Sequence, residues 1–283
     1  MIQEGIPGYL RIEAVDLGRG TDVRVTILGD AQAVAGAMAA EMFAVIQAAL
    51  ASRGQAVLIV PVGPVDQFPI LAQLINAGGV SLRQTVIINM DEYLDDTQGW
   101  VSWEHPLSFR SFMERNFYSL LHKDLAPPEE NRVFPDPARP EAIGRLIESR
   151  GQVDACFGGI GINGHIAFNE PPEPGENISL EEFANLPARV LPLARESRTI
   201  NSVTVGGGME VVPRWCVTVG MREILAAKKL RFFCNRPWQA AVVRRVLHGP
   251  ITSACPASLL RTHPDAALGL ADFVAAKPQI GLR

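Results

Sequence analysis

The residues best suited to chemistry lie in one glycine-rich stretch, GGIGINGHIAFNEPP at 158–172. The spacing G-x-G-x-x-G, typical of a dinucleotide-binding turn, is formed by Gly159, Gly161 and Gly164. His165 follows directly, and Glu170 comes five residues later. Histidine titrates near neutral pH, and a neighbouring carboxylate can orient it. The stretch therefore allows a nucleotide cradle, a metal site or a proton-transfer site.

The context of this stretch argues against two of these interpretations. A dinucleotide fingerprint opens a helix and is followed by an acidic residue about 20 positions on, whereas here the third glycine runs into HIAFNEPP. One histidine and one carboxylate are too few for a metal, and His105 belongs to another segment. We therefore expect no metal and no organic cofactor. A proton-transfer site and an ordinary hydrogen-bonded loop histidine remain open.

A second candidate is the acidic pair Asp91-Glu92, which follows the apolar run TVIINM. Side chains alternate along an extended strand, so at most one of the two carboxylates faces a given site. By itself the pair is equally consistent with ordinary solvation at a strand end.

The elements that must position these residues alternate between β-branched runs and helical patterns. Strands are predicted at 23–30, 56–63, 85–93, 153–161, 214–220 and 230–235. Helices are predicted at 31–54, 67–77, 107–122, 140–150, 221–228 and 239–248. This rhythm predicts an α/β fold over 1–283, a single domain with a mostly parallel, doubly wound sheet and helices on both faces. Ligands bind at the carboxyl ends of such strands, which groups Gly63, Asp91 and the loop 158–172.

Bulk composition narrows the class of protein. The chain has 283 residues, a net charge of −4 and a pI near 5.8, which favours neither nucleic acid nor an anionic membrane as partner. No apolar run is expected to reach the roughly 18 residues of a spanning helix. The N-terminal stretch lacks the order of a signal peptide, and the four scattered cysteines are expected to be reduced core residues. These features predict a cytoplasmic protein.

Taken together, the motifs resemble one family. The segments NMDEYL, EHPLSFRSFM, GGIGINGHIAFNEP, VTVGMREIL and PASLLRTHPDA occur in the order found in the glucosamine-6-phosphate deaminases. The glycine-rich stretch resembles that family's G-G-x-G-x-D-G-H-I-A-F-N-E-P. The related 6-phosphogluconolactonases share the G-H but usually lack the N-E-P. The resemblance implies an aldose–ketose isomerase and deaminase that converts an aminosugar phosphate to a ketose phosphate and ammonia without a cofactor.

The resemblance also implies residue roles. Asp91 matches the base that moves a proton from C2 to C1, and His165 matches the acid/base that opens the sugar ring. Glu170 matches the carboxylate that orients this histidine. Substrate contacts are expected from Gly63, Asp66, Glu92, Asn163, Gly164, Arg198 and Gln239.

Three departures from the family pattern are evident. Asn163 stands where deaminases usually have an aspartate, although some relatives acting on galactosamine-6-phosphate also have asparagine. Phe109 stands where many members have tyrosine. The stretch 95–103 is an insertion whose Trp100 and Trp103 are expected either to cover the sugar or to make oligomer contacts.

The fourth departure concerns the phosphate end of the substrate. In the family a Gly- and Thr/Ser-rich loop, an arginine and a lysine hold the 6-phosphate. Here the loop 60–69 contains Pro64 and Asp66, and the two cations fall on Val203 and on Gln239 or Trp238. These residues predict a sugar without a 6-phosphate, whereas Arg198 and Arg236 offer an alternative phosphate site.

Two other functions remain as alternatives. One is a sugar lactonase of the same fold, which would release acid and no ammonia. The other is a non-catalytic sugar-binding or sensing protein, for which a retained base would be unnecessary. The expected partner in each case is a small sugar, with a homo-oligomer possible.

Overall fold

The computed structural model describes residues 5–64 and 66–281. Over this part of the chain the strands are β1 Arg24–Leu28, β2 Ala56–Val60, β3 Thr85–Asn89, β4 Asp91–Leu94, β5 Arg132–Val133, β6 Ala155–Gly158, β7 Arg189–Pro192, β8 Trp215–Thr218, β9 Leu230–Cys234 and β10 Ala266–Ala271. The α-helices are α1 Ala31–Arg53, α2 Gln67–Gly78, α3 Phe109–Asn116, α4 Ala142–Arg150, α5 Leu180–Ala184, α6 Arg195–Ser202, α7 Met221–Leu225, α8 Gln239–His248 and α9 Asp272–Ala275.

The strands form two sheets. The larger sheet has the order β1-β10-β9-β6-β2-β3-β5 and is parallel throughout. The smaller sheet, β4-β8-β7, is antiparallel. Helices α1 and α2 pack against each other, and so do α8 and α9. The predicted α/β class with a mostly parallel sheet and covering helices is confirmed.

The order of the central strands places the candidate loops together. β9, β6, β2 and β3 are neighbours and parallel, so their carboxyl ends share one edge. The loop after β6 is the glycine-rich stretch, and the loop after β2 contains Gly63. An ideal Cβ on Gly159 would lie 3.7 Å from the Gly63 carbonyl oxygen, so these two loops are in contact.

The predicted strand 85–93 is wrong in one respect, because the structure divides it at Met90. The Met90 N–H donates to the carbonyl of Val60 in the main sheet, while the Met90 carbonyl accepts from the N–H of Val219. The chain therefore changes sheet at this residue, and Asp91 begins β4 in the smaller sheet.

Other differences follow from local chemistry. The predicted strand 214–220 belongs to the antiparallel sheet as β8 instead of the main sheet. The predicted helix 107–122 ends as α3 at Asn116 and continues as a 3-10 turn. Strands β5, β7 and β10 and helices α5, α6 and α9 were not predicted, since most are short and β10, AALGLA, has few β-branched residues.

Helix α1 corrects the expectation that no apolar run is long enough to span a membrane. By length and composition it is apolar enough to cross a membrane, with 44% of its most apolar window buried inside the fold. Its Val34, Met38, Met42 and Ile46 belong to the main hydrophobic core. The helix packs against α2 and strands β2, β9 and β10, and thus covers the main sheet.

A buried arginine, Arg244, joins α8 to segments near both ends of the chain. The Arg244 side chain is fully buried and donates to the carbonyls of Ile12, Ala240 and Ala275 at 2.9, 2.9 and 2.7 Å. A buried guanidinium needs such acceptors, because leaving its N–H groups unpaired away from water is costly.

We predict that Arg244→Met lowers the free energy of unfolding by about 2–4 kcal/mol, because it removes the bonds to the Ile12 and Ala275 carbonyls outside α8. Urea unfolding measures this change. Arg245→Met is the matched control, since Arg245 is only partly buried and its Nη2 bonds to a single carbonyl, that of Ala254. Equal losses in the two variants would contradict this role for Arg244.

Candidate active site

The glycine-rich loop is shaped around the imidazole of His165. An ideal Cβ on Gly161 would lie 2.1 Å from His165 Nε2, so only glycine allows the ring to pack there. Gly164 has a φ of +95°, and a Cβ there would lie 2.7 Å from Cys255 Sγ. The glycines are therefore required for the placement of His165, and the turn does not open a helix as a dinucleotide site would.

The Nδ1 atom of His165 is held by three side chains. It lies 3.0 Å from Glu170 Oε2, 2.9 Å from Asn163 Oδ1 and 3.1 Å from Ser197 Oγ. The Asn163 Nδ2 amide also donates to Glu170 Oε2 at 2.8 Å. A carboxylate only accepts, so this arrangement favours a proton on Nδ1 and leaves Nε2 as the basic nitrogen.

Glu170 is buried but ionised in this network. Burial alone would raise the pKa of Glu170, but the charge of His165 and hydrogen bonds from His165, Ser197 and Asn163 hold it below its usual value. A lowered carboxyl pKa stabilises the fold above the unfolded pKa, and that stability is lost as pH falls through the folded pKa. Glu170 Oε1 is buried without a partner among the described residues.

Asp91 reaches the same region from the smaller sheet. It pairs in register with Thr218 of β8, so their side chains lie on one face of that sheet. Thr218 Oγ1 accepts the N–H of Phe168, and Asn169 Nδ2 donates to the carbonyl of Val219. The loop that carries His165 is therefore bound to the strand opposite Asp91.

The carboxyl group of Asp91 differs from that of Glu170. Asp91 is buried, and desolvation followed by the charge of Glu92 raises its pKa well above the usual value. No hydrogen bond from the described residues offsets this burial. A buried carboxylate of raised basicity is what a base for carbon-bound protons requires.

Glu92, the second acid of the pair, bonds to the start of α3, and its expected contact with substrate stays a prediction. Its side chain is fully buried and accepts the N–H groups of Phe109 and Arg110 at 3.0 and 2.8 Å, with Arg110 Nε at 3.3 Å. Glu92 therefore stabilises the N-terminus of α3. The alternation expected for the acidic pair accounts for the separation of the two carboxylates.

Two residues expected at the far end of the substrate are committed elsewhere. Gln239 is buried, with Nε2 donating to the Ile160 carbonyl and Oε1 accepting the Arg236 N–H. Arg198 Nη2 donates to the carbonyls of Met209 and Val212 at 3.3 and 3.4 Å. Both side chains hold loops in place, and the expected contacts of Gln239 and Arg198 with substrate stay predictions.

The loop after β2 retains an exposed acid. Asp66 is the N-cap residue of α2, exposed, and its side chain makes no capping hydrogen bond. It remains available at the edge shared with Gly63 and the glycine-rich loop.

The tryptophans of the insertion pack on an arginine. The Arg110 guanidinium lies 4.5 Å from the Trp100 ring centre and 5.9 Å from that of Trp103. Trp100 Nε1 donates to the Pro135 carbonyl, and Trp103 is 47% exposed. Trp100 thus packs against Arg110 of α3, whereas about half of the Trp103 surface is accessible to a substrate or to another protein molecule.

Sequence reasoning missed the contribution of α6. Ser197 contacts His165, and Asn201 Nδ2 donates to the Tyr93 hydroxyl at 2.8 Å. The segment is short and polar and gives little helical periodicity, so only its serine and asparagine at i and i+4 signal a functional face.

The structure also bears on metal binding and on the state of the cysteines. Within 5–64 and 66–281, no group of three His, Cys, Asp or Glu side chains is arranged to hold a metal ion. The four cysteines are free and buried, as predicted.

Comparison with known proteins identifies the family. The chain is 32% identical over 216 residues to a glucosamine-6-phosphate deaminase from Aeromonas hydrophila, covering 74% of each chain. It is 31% identical over 220 residues to one from Cronobacter sakazakii, covering 75% of this chain and 76% of the relative. The chain belongs to the glucosamine-6-phosphate deaminase family, as its motifs predict.

Solved structures with the same fold include enzymes of two kinds. A monomeric glucosamine-6-phosphate deaminase superposes with a TM-score of 0.76 at 23% identity, covering 90% of this chain and 100% of that chain. A 6-phosphogluconolactonase from Shewanella baltica gives 0.61 at 16%, covering 88% and 97%. No protein-family model matches the chain.

The unpartnered carboxylate predicts a change in stability. Asp91→Asn should raise the free energy of unfolding at pH 8 by about 1–3 kcal/mol, because it removes a buried charge. The folded pKa of Asp91 is raised, so the penalty is present at high pH and disappears as pH falls through that pKa. Urea unfolding at pH 8 and pH 5 measures this trend.

Asp95→Asn is the control with the opposite sign. Hydrogen bonds from Thr97, outweighing slight burial, and from Gly99 lower the pKa of Asp95, so its loss should reduce stability. A stability of Asp91→Asn that does not change with pH would contradict the prediction.

Proposed function

We propose that this protein is an aminosugar isomerase and deaminase, which converts a 2-amino-2-deoxy aldose to a ketose and ammonia. Asp91 is the base, His165 opens the ring, and Glu170 orients His165. Membership of the glucosamine-6-phosphate deaminase family supports the reaction class. The single observation that carries the assignment is the contrast between two buried carboxyl groups. Asp91 has no hydrogen-bond donor among the described residues, whereas Glu170 is bound to His165.

Each residue has a physical reason for its step. His165 Nε2, unprotonated while Nδ1 is held, takes the anomeric proton and passes one to the ring oxygen. Asp91, made more basic by burial, removes the proton at C2 and returns it to C1 from the same face. Expulsion of ammonia then follows hydration at C2. Asn163 bonds to both Glu170 and His165 without adding charge.

We predict that Asp91→Asn slows exchange of the C2 proton with solvent deuterium by at least about a hundredfold, as loss of a general base does. Sugar binding should survive, because the amide keeps the shape of the carboxyl group. NMR of C2 deuteration measures exchange, and thermal shift measures binding. Asp95→Asn, on the exposed turn after β4, is the control and should exchange normally. Undiminished exchange in Asp91→Asn would remove Asp91 from the mechanism.

The finer proposal concerns the substrate's far end, which we infer carries no 6-phosphate. Gln239, at or beside the position expected to hold a lysine, is uncharged, and its amide already bonds to the Ile160 carbonyl and the Arg236 N–H. Val203, in the arginine position, is 69% exposed and uncharged. Asp66 places a carboxylate at the start of α2, where it would repel a phosphate dianion. A phosphate site without charge-assisted donors would bind weakly.

A panel of sugars tests this proposal. Ammonia release and thermal shift are measured side by side for glucosamine, galactosamine and their 6-phosphates. We expect the unphosphorylated sugars to be preferred by at least about tenfold in kcat/KM, since several donors worth about 1.5–3 kcal/mol each are missing for phosphate. Arg236→Gln should change this preference little. A preference for a 6-phosphate that Arg236→Gln abolishes would establish a rebuilt phosphate site. Acid release from a sugar lactone, with no ammonia from any aminosugar, would identify a lactonase.

A further inference from the structure

One face of α6 contacts His165 and Tyr93, a residue on the strand that carries Asp91. Ser197 is fully buried, and its Oγ lies 3.1 Å from His165 Nδ1. Asn201, one helical turn later, donates from Nδ2 to the Tyr93 hydroxyl at 2.8 Å. Residues four apart on a helix share a face, so both contacts are made by the same side of α6.

Tyr93 connects this face to the proposed base. Tyr93 and Asp91 are two residues apart in β4, so their side chains lie on the same face of the smaller sheet. The Tyr93 ring also packs 5.2 Å from Phe168 of the loop that carries His165. α6 therefore contacts the strand of Asp91 and the imidazole of His165 at once.

We propose that Ser197 and Asn201 are positioning residues that set His165 and Asp91 in register for successive steps of one reaction. This inference rests on the proposed function for its kinetic readouts. Ser197 acts on ring opening through the imidazole. Asn201 acts on proton transfer at C2 through Tyr93 and β4.

Ser197 is one of three acceptors around Nδ1 of His165. Three polar atoms lie within 3.1 Å of this nitrogen, which has one proton to donate. Glu170 only accepts, whereas a serine hydroxyl rotates and can accept from Nδ1–H while donating elsewhere. The hydroxyl therefore complements the carboxylate in keeping the proton on Nδ1 and the ring in place.

The hydrogen-bond partner of Asn201 is a buried tyrosine. Tyr93 is buried in a cluster with Phe109 and Phe168, at 5.0 and 5.2 Å between ring centres. Burial and the neighbouring Asp91 raise the pKa of the Tyr93 phenol, which stays protonated. Loss of Asn201 leaves this hydroxyl without its amide donor and frees the ring that lies beside Asp91.

Ser197→Ala tests the first contact. We expect kcat for the closed-ring aminosugar to fall roughly tenfold, less than the hundredfold that a misplacement of 1 Å can cost. KM should change less than threefold, and an open-chain analogue should be slowed much less, because only ring opening uses the imidazole shuttle. Ser197→Thr keeps the hydroxyl and should restore turnover.

Asn201→Ala tests the second contact. C2 deuterium exchange should slow roughly fivefold to tenfold with closed-ring and open-chain sugars alike, since the effect is on the base. Thr199→Ala is the control for both variants. Thr199 lies on the same helix and is exposed, and among the described residues its hydroxyl bonds to the carbonyl of Arg195 alone. Its loss should therefore leave the kinetics unchanged.

A readout without substrate separates this inference from the proposed function. Nitrogen-15 NMR of labelled histidine should place the proton of neutral His165 on Nδ1 in the wild type, and Ser197→Ala should increase the Nε2–H form. If the wild type released no ammonia from any aminosugar, the proposed function would fail while the spectra still decided the role of Ser197. Unchanged spectra and kinetics in a folded Ser197→Ala, or undiminished exchange in Asn201→Ala, would overturn the corresponding assignment.

Discussion

The site depends on the two backbone hydrogen bonds of Met90. Its N–H completes the main sheet at Val60, and its carbonyl binds the N–H of Val219 in the smaller sheet. A strand that stayed in the main sheet would carry Asp91 with it. Because the two hydrogen bonds point to different sheets, Asp91 lies opposite Thr218, and the glycine-rich loop is fixed to that same strand.

Three neighbouring acids have different fates because their hydrogen bonds differ. Glu92 accepts the first N–H groups of α3 and pairs with Arg110, which makes it a structural group. Glu170 has His165, Ser197 and Asn163 as donors, which hold its pKa below the usual value despite its burial. Asp91 is also buried, but it has no hydrogen-bond donor among the described residues, and desolvation followed by the charge of Glu92 raises its pKa well above the usual value. All three carboxyl groups are buried, so the difference in their roles follows from the hydrogen-bond donors around each of them.

Sequence alone was sufficient for the strongly patterned parts. The apolar runs of β2 and β3 and the boundaries of α8 follow directly from periodicity, and the string around His165 identified the family. Contacts that depend on the tertiary arrangement were beyond it. The sequence predicts Gln239 and Arg198 as substrate contacts, but it does not reveal that each side chain donates a hydrogen bond to a backbone carbonyl. Ser197 was missed because a short polar helix has no core-facing stripe to signal it.

The contact between Gly161 and the His165 ring restricts how this protein can diversify. Any side chain at Gly161 would overlap the imidazole, and any at Gly164 would meet Cys255. The loop that carries His165 therefore does not tolerate substitution of these two glycines. New sugar preferences must arise in other elements, above all the turn that leads to Asp66 and the exposed end of α6. Substrate range in such a fold can evolve while the reacting centre is inherited unchanged.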